Sequence, residues 1–249
     1  MDVFTASFRL ASGIRASLNQ QNYQTMIKTI ITDIEGTTSS LSFVKDILFP
    51  YAREHIADYV KQRAEEEPVQ QQLNAVKEIM GNNPDIEHTA QQLVAWIDQD
   101  QKVTPLKTLQ GMIWETGYRN GDFTGHVYED AYLKLKRWHE QGINVFIYSS
   151  GSVYAQKLLY GYSDFGDITS LFSGYFDTNI GHKRETTSYK NIIKTINCDG
   201  ESTLFLSDIV EELDAAKAAG INTYWLIREG EAPSAPPHQI ARTFDDISI

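Results

Sequence analysis

The chain holds a single cysteine, Cys198. One cysteine closes no internal disulfide, so the fold has to rest on an apolar core rather than on covalent staples. Cys198 follows Ser188 to Ile196, which read as a helix, and is expected to be a small, partly buried side chain and not a nucleophile. Positive charge is also scarce: 22 Lys and Arg against 33 Asp and Glu give a net charge of −11 and a pI near 5.0. That balance argues against sequence-independent binding to nucleic acid, which needs a basic face. It leaves a phosphate substrate open, because one lysine and a divalent metal can build a local positive site on an acidic protein. No apolar run approaches the roughly 18 residues of a membrane span. Internal repeats and low-complexity tracts are absent.

What is present suits an ordinary globular protein: 249 residues, 41% apolar and 22% charged, enough for one large domain or a core with a smaller insert. Residues 1–25 stand apart, with one acid (Asp2), two arginines (Arg9 and Arg15) and several serines and glutamines. Arg9, Ser12 and Gly13 interrupt the apolar stretch Phe8 to Ile14, so no secretory segment is read there. The expectation is a disordered extension or an upstream start, with Met26 as the natural first residue; a transit peptide is the alternative.

From Ile27 to Ile34 a short run rich in isoleucine and threonine ends in a Gly-Thr-Thr turn, the pattern of a buried parallel strand. The following block, 39–120, changes to helical period and is nearly free of glycine. Helices are expected over roughly 43–63, 68–80, 84–100 and 105–116, with Asn83-Pro84 and Thr104-Pro105 as N-cap and first-turn proline. From about 121 strand and helix alternate. Tyr128, Ala131, Tyr132, Leu135 and Trp138 fall at helical spacing, and Gly142 takes the C-terminal cap position. Ile143 to Tyr148, Leu204 to Leu206 and Ile221 to Ile227 read as strands, and Tyr175-Phe176-Asp177 as a short strand or turn, with helices between them. Such alternation predicts a doubly wound parallel α/β sheet, here with an all-helical insert. Ligands in these sheets lie at the carboxyl ends of the strands, where Asp33, Ser149 and Asp208 fall.

Asp33-Ile34-Glu35-Gly36-Thr37-Thr38 sets two carboxylates two residues apart just past a strand. Phosphoryl transfer through a covalent intermediate needs two such groups, one to attack phosphorus and one to move protons. Taken alone, the spacing is common at strand ends. Ser149, ending the second strand, can hold phosphate oxygens with its hydroxyl and the backbone N–H that follows. Lys183, in Gly181-His182-Lys183-Arg184-Glu185, can neutralise nucleophile and phosphate together. Asp208, with Glu211 and Glu212 one helical turn on, offers oxygen ligands for a hard cation. Each residue has a plain structural reading as turn serine, solvated lysine or helix cap. The four in this order are much harder to obtain by chance.

The order of nucleophilic acid, hydroxyl, lysine and metal acid resembles the four-motif signature of the haloacid dehalogenase superfamily. The resemblance covers a core over 26–38 and 121–249, with 39–120 in the place of that superfamily's inserted cap. A closer similarity is to the enolase-phosphatase (acireductone synthase) family of methionine salvage. It rests on the first motif, on Phe43-Val44-Lys45-Asp46 with Leu48-Phe49-Pro50-Tyr51, and on Tyr148-Ser149-Ser150-Gly151-Ser152 with Ala155-Gln156-Lys157-Leu158-Leu159. Phe176-Asp177-Thr178 and Phe205-Leu206-Ser207-Asp208-Ile209 complete it. Glu rather than Asp two residues after the nucleophile fits this family and not the superfamily's other phosphatases.

The resemblance implies a cytoplasmic, monomeric hydrolase acting on a small phosphorylated diketone, with one Mg²⁺ and no nucleic-acid or membrane partner. It implies Asp33 as nucleophile and metal ligand, Glu35 as acid and base, Ser149 and Ser150 on the phosphate, and Lys183 pairing with phosphate and Asp33. Asp208 would complete the metal ligands with Glu35, whose position in this superfamily often touches the metal through its backbone carbonyl rather than its side chain. Glu212 would hold Lys183 or a metal-bound water. Phe43 and Trp114 are the candidates for an apolar wall. A general small-molecule phosphatase of this superfamily, and a silent binding protein of this fold, are the competing readings; a true dehalogenase would need no phosphate or metal site.

Overall fold

A computed structural model describes residues 26–81 and 83–249. The expectations for residues 1–25 lie outside the described residues. Six strands form one parallel sheet: β1 (Thr29–Thr32), β2 (Asn144–Tyr148), β3 (Gly174–Phe176), β4 (Thr203–Ser207), β5 (Asn222–Leu226) and β6 (Gln239–Ala241), in the order β3-β2-β1-β4-β5-β6. Every residue of β1 and β4 is buried, as central strands covered on both faces must be. β1 pairs with β2 on one side and β4 on the other, with Thr32 opposite Ile147 and Leu206. That common register brings three carboxyl ends to one level. The sheet order reverses at β1, which places the crevice there.

Alternate strand residues point to opposite faces, and the two helix layers use this. Ile30, Ile147, Leu204 and Leu206 pack with α5 (Glu129–Glu140) and α6 (Val153–Gly161) through Leu135, Trp138 and Leu158. Ile31 and Phe205 pack on the other face with α7 (Thr186–Thr195) and α8 (Val210–Ala218) through Tyr189, Ile192 and Leu213. Between β1 and α5 lie a π-helical turn, Phe43–Leu48, and four helices: α1 (Phe49–Gln62), α2 (Glu67–Met80), α3 (Ile86–Asp98) and α4 (Thr104–Asn120). These four share their own apolar cluster, centred on Ile56, Val60, Leu73, Leu93 and Leu109. α4 stops at Gly121, whose left-handed φ of 75° turns the chain back to the core.

Three expectations need correction. The cap of α3 is Asp85, not Asn83: its carboxylate accepts from His88 N–H at 2.9 Å, whereas Asn83 sits at a positive φ of 43°. Thr104 is the first residue of α4 rather than its cap, which is Val103. β6 was not foreseen, because three residues after a proline-rich stretch carry no readable period.

Arg228 fastens the loop that follows β1. Its Nε and Nη2 donate to Thr37 O at 3.2 and 2.7 Å, and its Nη1 to Asp130 Oδ2 at 2.7 Å. The guanidinium lies 4.1 Å from the Tyr128 ring centre, and the pair with Asp130 is largely buried. Arg228→Met leaves that carboxylate without its cation. Urea unfolding is expected to show a loss of about 3 kcal/mol; a loss within experimental error would mean that the link does not hold the loop.

Candidate active site

Lys183 is the one residue of its loop driven fully inward: it is 8% exposed, while His182, Arg184 and Glu185 face solvent. Its Nζ donates to Asp33 Oδ1 at 2.6 Å and to Glu212 Oε2 at 2.7 Å. Backbone anchoring sets this reach. Tyr189 OH donates to Lys183 O, Ser188 Oγ to His182 O and Tyr148 OH to Gly181 O, so two elements pin the loop. Burial alone would push the ammonium's pKa down, but Asp33 and Glu212 outweigh it and hold it above its ordinary value. Glu212 is fixed in turn by Ser207 Oγ, which donates to Oε2 at 3.0 Å and accepts from Ile209 N–H.

Asp33 is 5% exposed. Besides the lysine, Oδ1 accepts from Ile34 N–H at 2.8 Å. Asp208 stands beside it at the end of β4, held through Trp225 Nε1, which donates to its backbone carbonyl at 3.0 Å. Burial first, and the charge of Asp33 second, raise the Asp208 carboxyl to about 7. Its Oδ1 is sealed from solvent and has no partner among the described residues. Gly36 lets these groups approach: at φ 72°, a Cβ there would overlap Asp208 Oδ2.

Glu35 lines a cavity of about 290 Å³ between the sheet and the helical block. Burial and then Asp33 raise its carboxyl above the ordinary range, while Lys183 and Lys102 pull it back. Ser149 and Ser150 line the same cavity. Ser149 Oγ accepts from Gly151 N–H at 3.2 Å, folding the loop tightly against the start of α6, which Ser152 caps. Across the cavity stand Leu48, Phe49, Trp96, Ile97, Leu106 and Trp114.

A model of haloacid dehalogenase-like hydrolases matches residues 27–220. The chain is 52% identical to the enolase-phosphatase E1 of Thioalkalivibrio sulfidiphilus over 90% of its length and all of that protein's. It is 55% identical to the enolase-phosphatase E1 of Methylococcus capsulatus, covering 89% of this chain and 98% of the relative. The crystal structure of the UTR4 protein of Saccharomyces cerevisiae superposes with a TM-score of 0.77 at 37% identity, over 89% of this chain and 100% of that one. The chain belongs to the enolase-phosphatase family.

In this member of the family the fold brings buried Asp33, Lys183 and Glu212 together with half-buried Asp208 beside them, and Glu35, Ser149 and Ser150 line the adjoining cavity. It separates Glu211, which is exposed, from Glu212, which grips the lysine. Trp114 lines the cavity, but Phe43 does not. It packs into the core edge-on to Phe123, with ring centres 6.4 Å apart, at the start of the π-helical turn. Ser207, Tyr189 and Gly36 were missed; a serine, a tyrosine and a glycine next to motif residues carry no spacing signal of their own.

Among the described residues, no three His, Cys, Asp or Glu side chains are grouped to hold a metal. Two carboxylates and a carbonyl nevertheless suit a hard cation. Asp208 Oδ1 is a sealed oxygen with no partner among the described residues, beside Asp33, and among the described residues no N–H donates to Glu35 O. The residues fit a divalent metal.

Lys183→Met removes the only ammonium between two buried carboxylates. Turnover is expected to fall on the order of 100-fold or more, the scale for a positioned electrostatic group. Normal turnover in a folded mutant would make Lys183 a structural ion pair only.

Proposed function

We propose that the protein enolises 2,3-diketo-5-methylthiopentyl-1-phosphate and then removes its phosphate, giving acireductone (1,2-dihydroxy-3-keto-5-methylthiopentene) in L-methionine salvage. The observation that carries this reading is the buried Lys183 bonded at once to Asp33 and Glu212 at the carboxyl ends of the strands. Its setting in a chain more than half identical to proteins named enolase-phosphatase E1 supports the choice of reaction.

Asp33 is the nucleophile. Lys183 and Ile34 N–H hold Oδ1, which leaves Oδ2 to attack phosphorus and form an aspartyl-phosphate. The ammonium offsets the charge of Asp33 and of the arriving phosphate. Glu35, whose carboxyl burial raises above its ordinary range, gives its proton to the leaving oxygen. The resulting carboxylate then takes a proton from the water that cleaves the aspartyl-phosphate. Ser149 and Ser150 bind the phosphate at the start of α6, where backbone N–H groups favour an anion. Glu212 keeps Lys183 in place.

Asp33, Asp208 and the backbone carbonyl of Glu35 would hold one Mg²⁺. Bound there, it supplies positive charge for the phosphate and polarises a substrate carbonyl. Residues 26–38 and 121–249 form the catalytic core in this reading. Residues 39–120 form the cap that encloses the cavity, excludes water and offers Trp114 to the methylthio tail. A cytoplasmic monomer completes the reading.

The test is a panel of phosphate esters, with and without Mg²⁺. The diketone substrate should exceed sugar phosphates and phosphoglycolate in kcat/KM by about 100-fold or more. Phosphate release should stop in excess chelator, with metal removal checked by elemental analysis. Equal turnover of sugar phosphates would favour a general phosphatase, and full turnover without metal would overturn the Mg²⁺ site.

A further inference from the structure

One face of α4 borders the cavity with three unlike side chains. Lys107, Gln110 and Trp114 fall at i, i+3 and i+7 and all line it. Lys107 lies nearest the proposed phosphate end: its Nζ donates to Ser150 O at 3.1 Å, across from the helical block to the sheet. An ammonium has three N–H groups, so two remain free after that bond. Trp114 lies at the apolar end, its Nε1 tied to Leu48 O at 2.7 Å and its ring edge-on to Phe49.

Gln110 stands between them and is 4% exposed. Among the described residues its amide makes no hydrogen bond, yet its atoms are not among the sealed, unpartnered ones. The small opening that it keeps is therefore onto the cavity. An amide this buried, with no partner among the described residues and its opening on the cavity, is placed to take its partner from a ligand held there.

We infer that Lys107 and Gln110 are the donor pair that reads the two adjacent carbonyl oxygens of the substrate. The inference rests on the proposed function and deepens it. Along α4 the wall runs ammonium, amide, indole. The substrate runs phosphate, dicarbonyl, methylthio tail. With the phosphate on Ser149 and Ser150, the carbonyl next to the phosphoester carbon meets Lys107, the second carbonyl meets Gln110, and the tail reaches Trp114. Rejection of esters without the dicarbonyl follows, because binding them leaves Gln110 unpaired and the free N–H groups of Lys107 unused.

The experiment compares kcat/KM for the diketone substrate with that for pentyl phosphate, an ester without carbonyls, in the wild type, Gln110→Met and Lys107→Met. The diketone preference should fall at least about 10-fold in Gln110→Met, the scale of one neutral hydrogen bond, and further in Lys107→Met, where the lost donor is charged. The Tm of Gln110→Met should be unchanged or raised, since no bond within the protein is lost. A preference that survives Gln110→Met, or a lowered Tm with the preference intact, would overturn Gln110 as a reader. Equal losses on both esters in Lys107→Met would reduce Lys107 to a strut between α4 and Ser150. No diketone preference in the wild type would instead sink the proposed function itself.

Discussion

A single ammonium buried between two carboxylates, Lys183 between Asp33 and Glu212, is the interaction on which the arrangement of the site depends. Burying any one of these charges alone would be costly, and removing one partner leaves the others uncompensated. The three come from distant parts of the chain: the turn after β1, the loop before α7 and the first turn of α8. Their pairing therefore requires that the sheet and the layer of α7 and α8 be in register. The parallel pairing of β1 with both β2 and β4 meets that requirement through the backbone, before any side chain is placed.

The same group is left unbalanced in a way that suits chemistry. Asp208 adds a third carboxylate with one sealed, unpartnered oxygen, and Gly36 gives up its side chain so that the carboxylate can stand there. The structure thus gathers three carboxyl groups around one ammonium at the switch point of the sheet, an oxygen-rich setting that suits a hard cation and then a phosphate. Arg228, paired with Asp130, braces the loop through Thr37 O. At the adjoining cavity, Glu35 and the two serines meet a wall of the helical block that grades from charged to apolar along α4. Charge handling belongs to the sheet and shape reading to the helices.

Much of this was legible because the sheet writes itself plainly. A buried isoleucine-rich run ending in acid-x-acid, and a second strand ending in serines, mark the carboxyl ends where ligands lie. Lys183 could be singled out only by its place in the order of motifs, since a basic loop looks solvated until the tyrosines that draw it inward are located. The helices were found within a few residues, but their caps were misplaced, because Asp85 competes with Asn83 within two positions and only geometry decides. Phe43 looked like a wall residue because it follows the first motif closely, yet nearness in sequence does not say which way a ring faces. Gln110 gave no signal at all: a glutamine in a polar helix is ordinary until its surroundings are known to be buried.

The central claim is that Asp33 carries the phosphoryl group during turnover, and it is tested most directly by acid quenching. The enzyme with Mg²⁺ and diketone substrate is stopped during the first turnover, digested, and its peptides are weighed by mass spectrometry. The account predicts one phosphoryl group on the peptide containing Asp33, appearing before free phosphate reaches its steady rate and absent from Asp33→Asn. Phosphate released at the full rate with that peptide unmodified at every early time, or with the label on another residue, would contradict it.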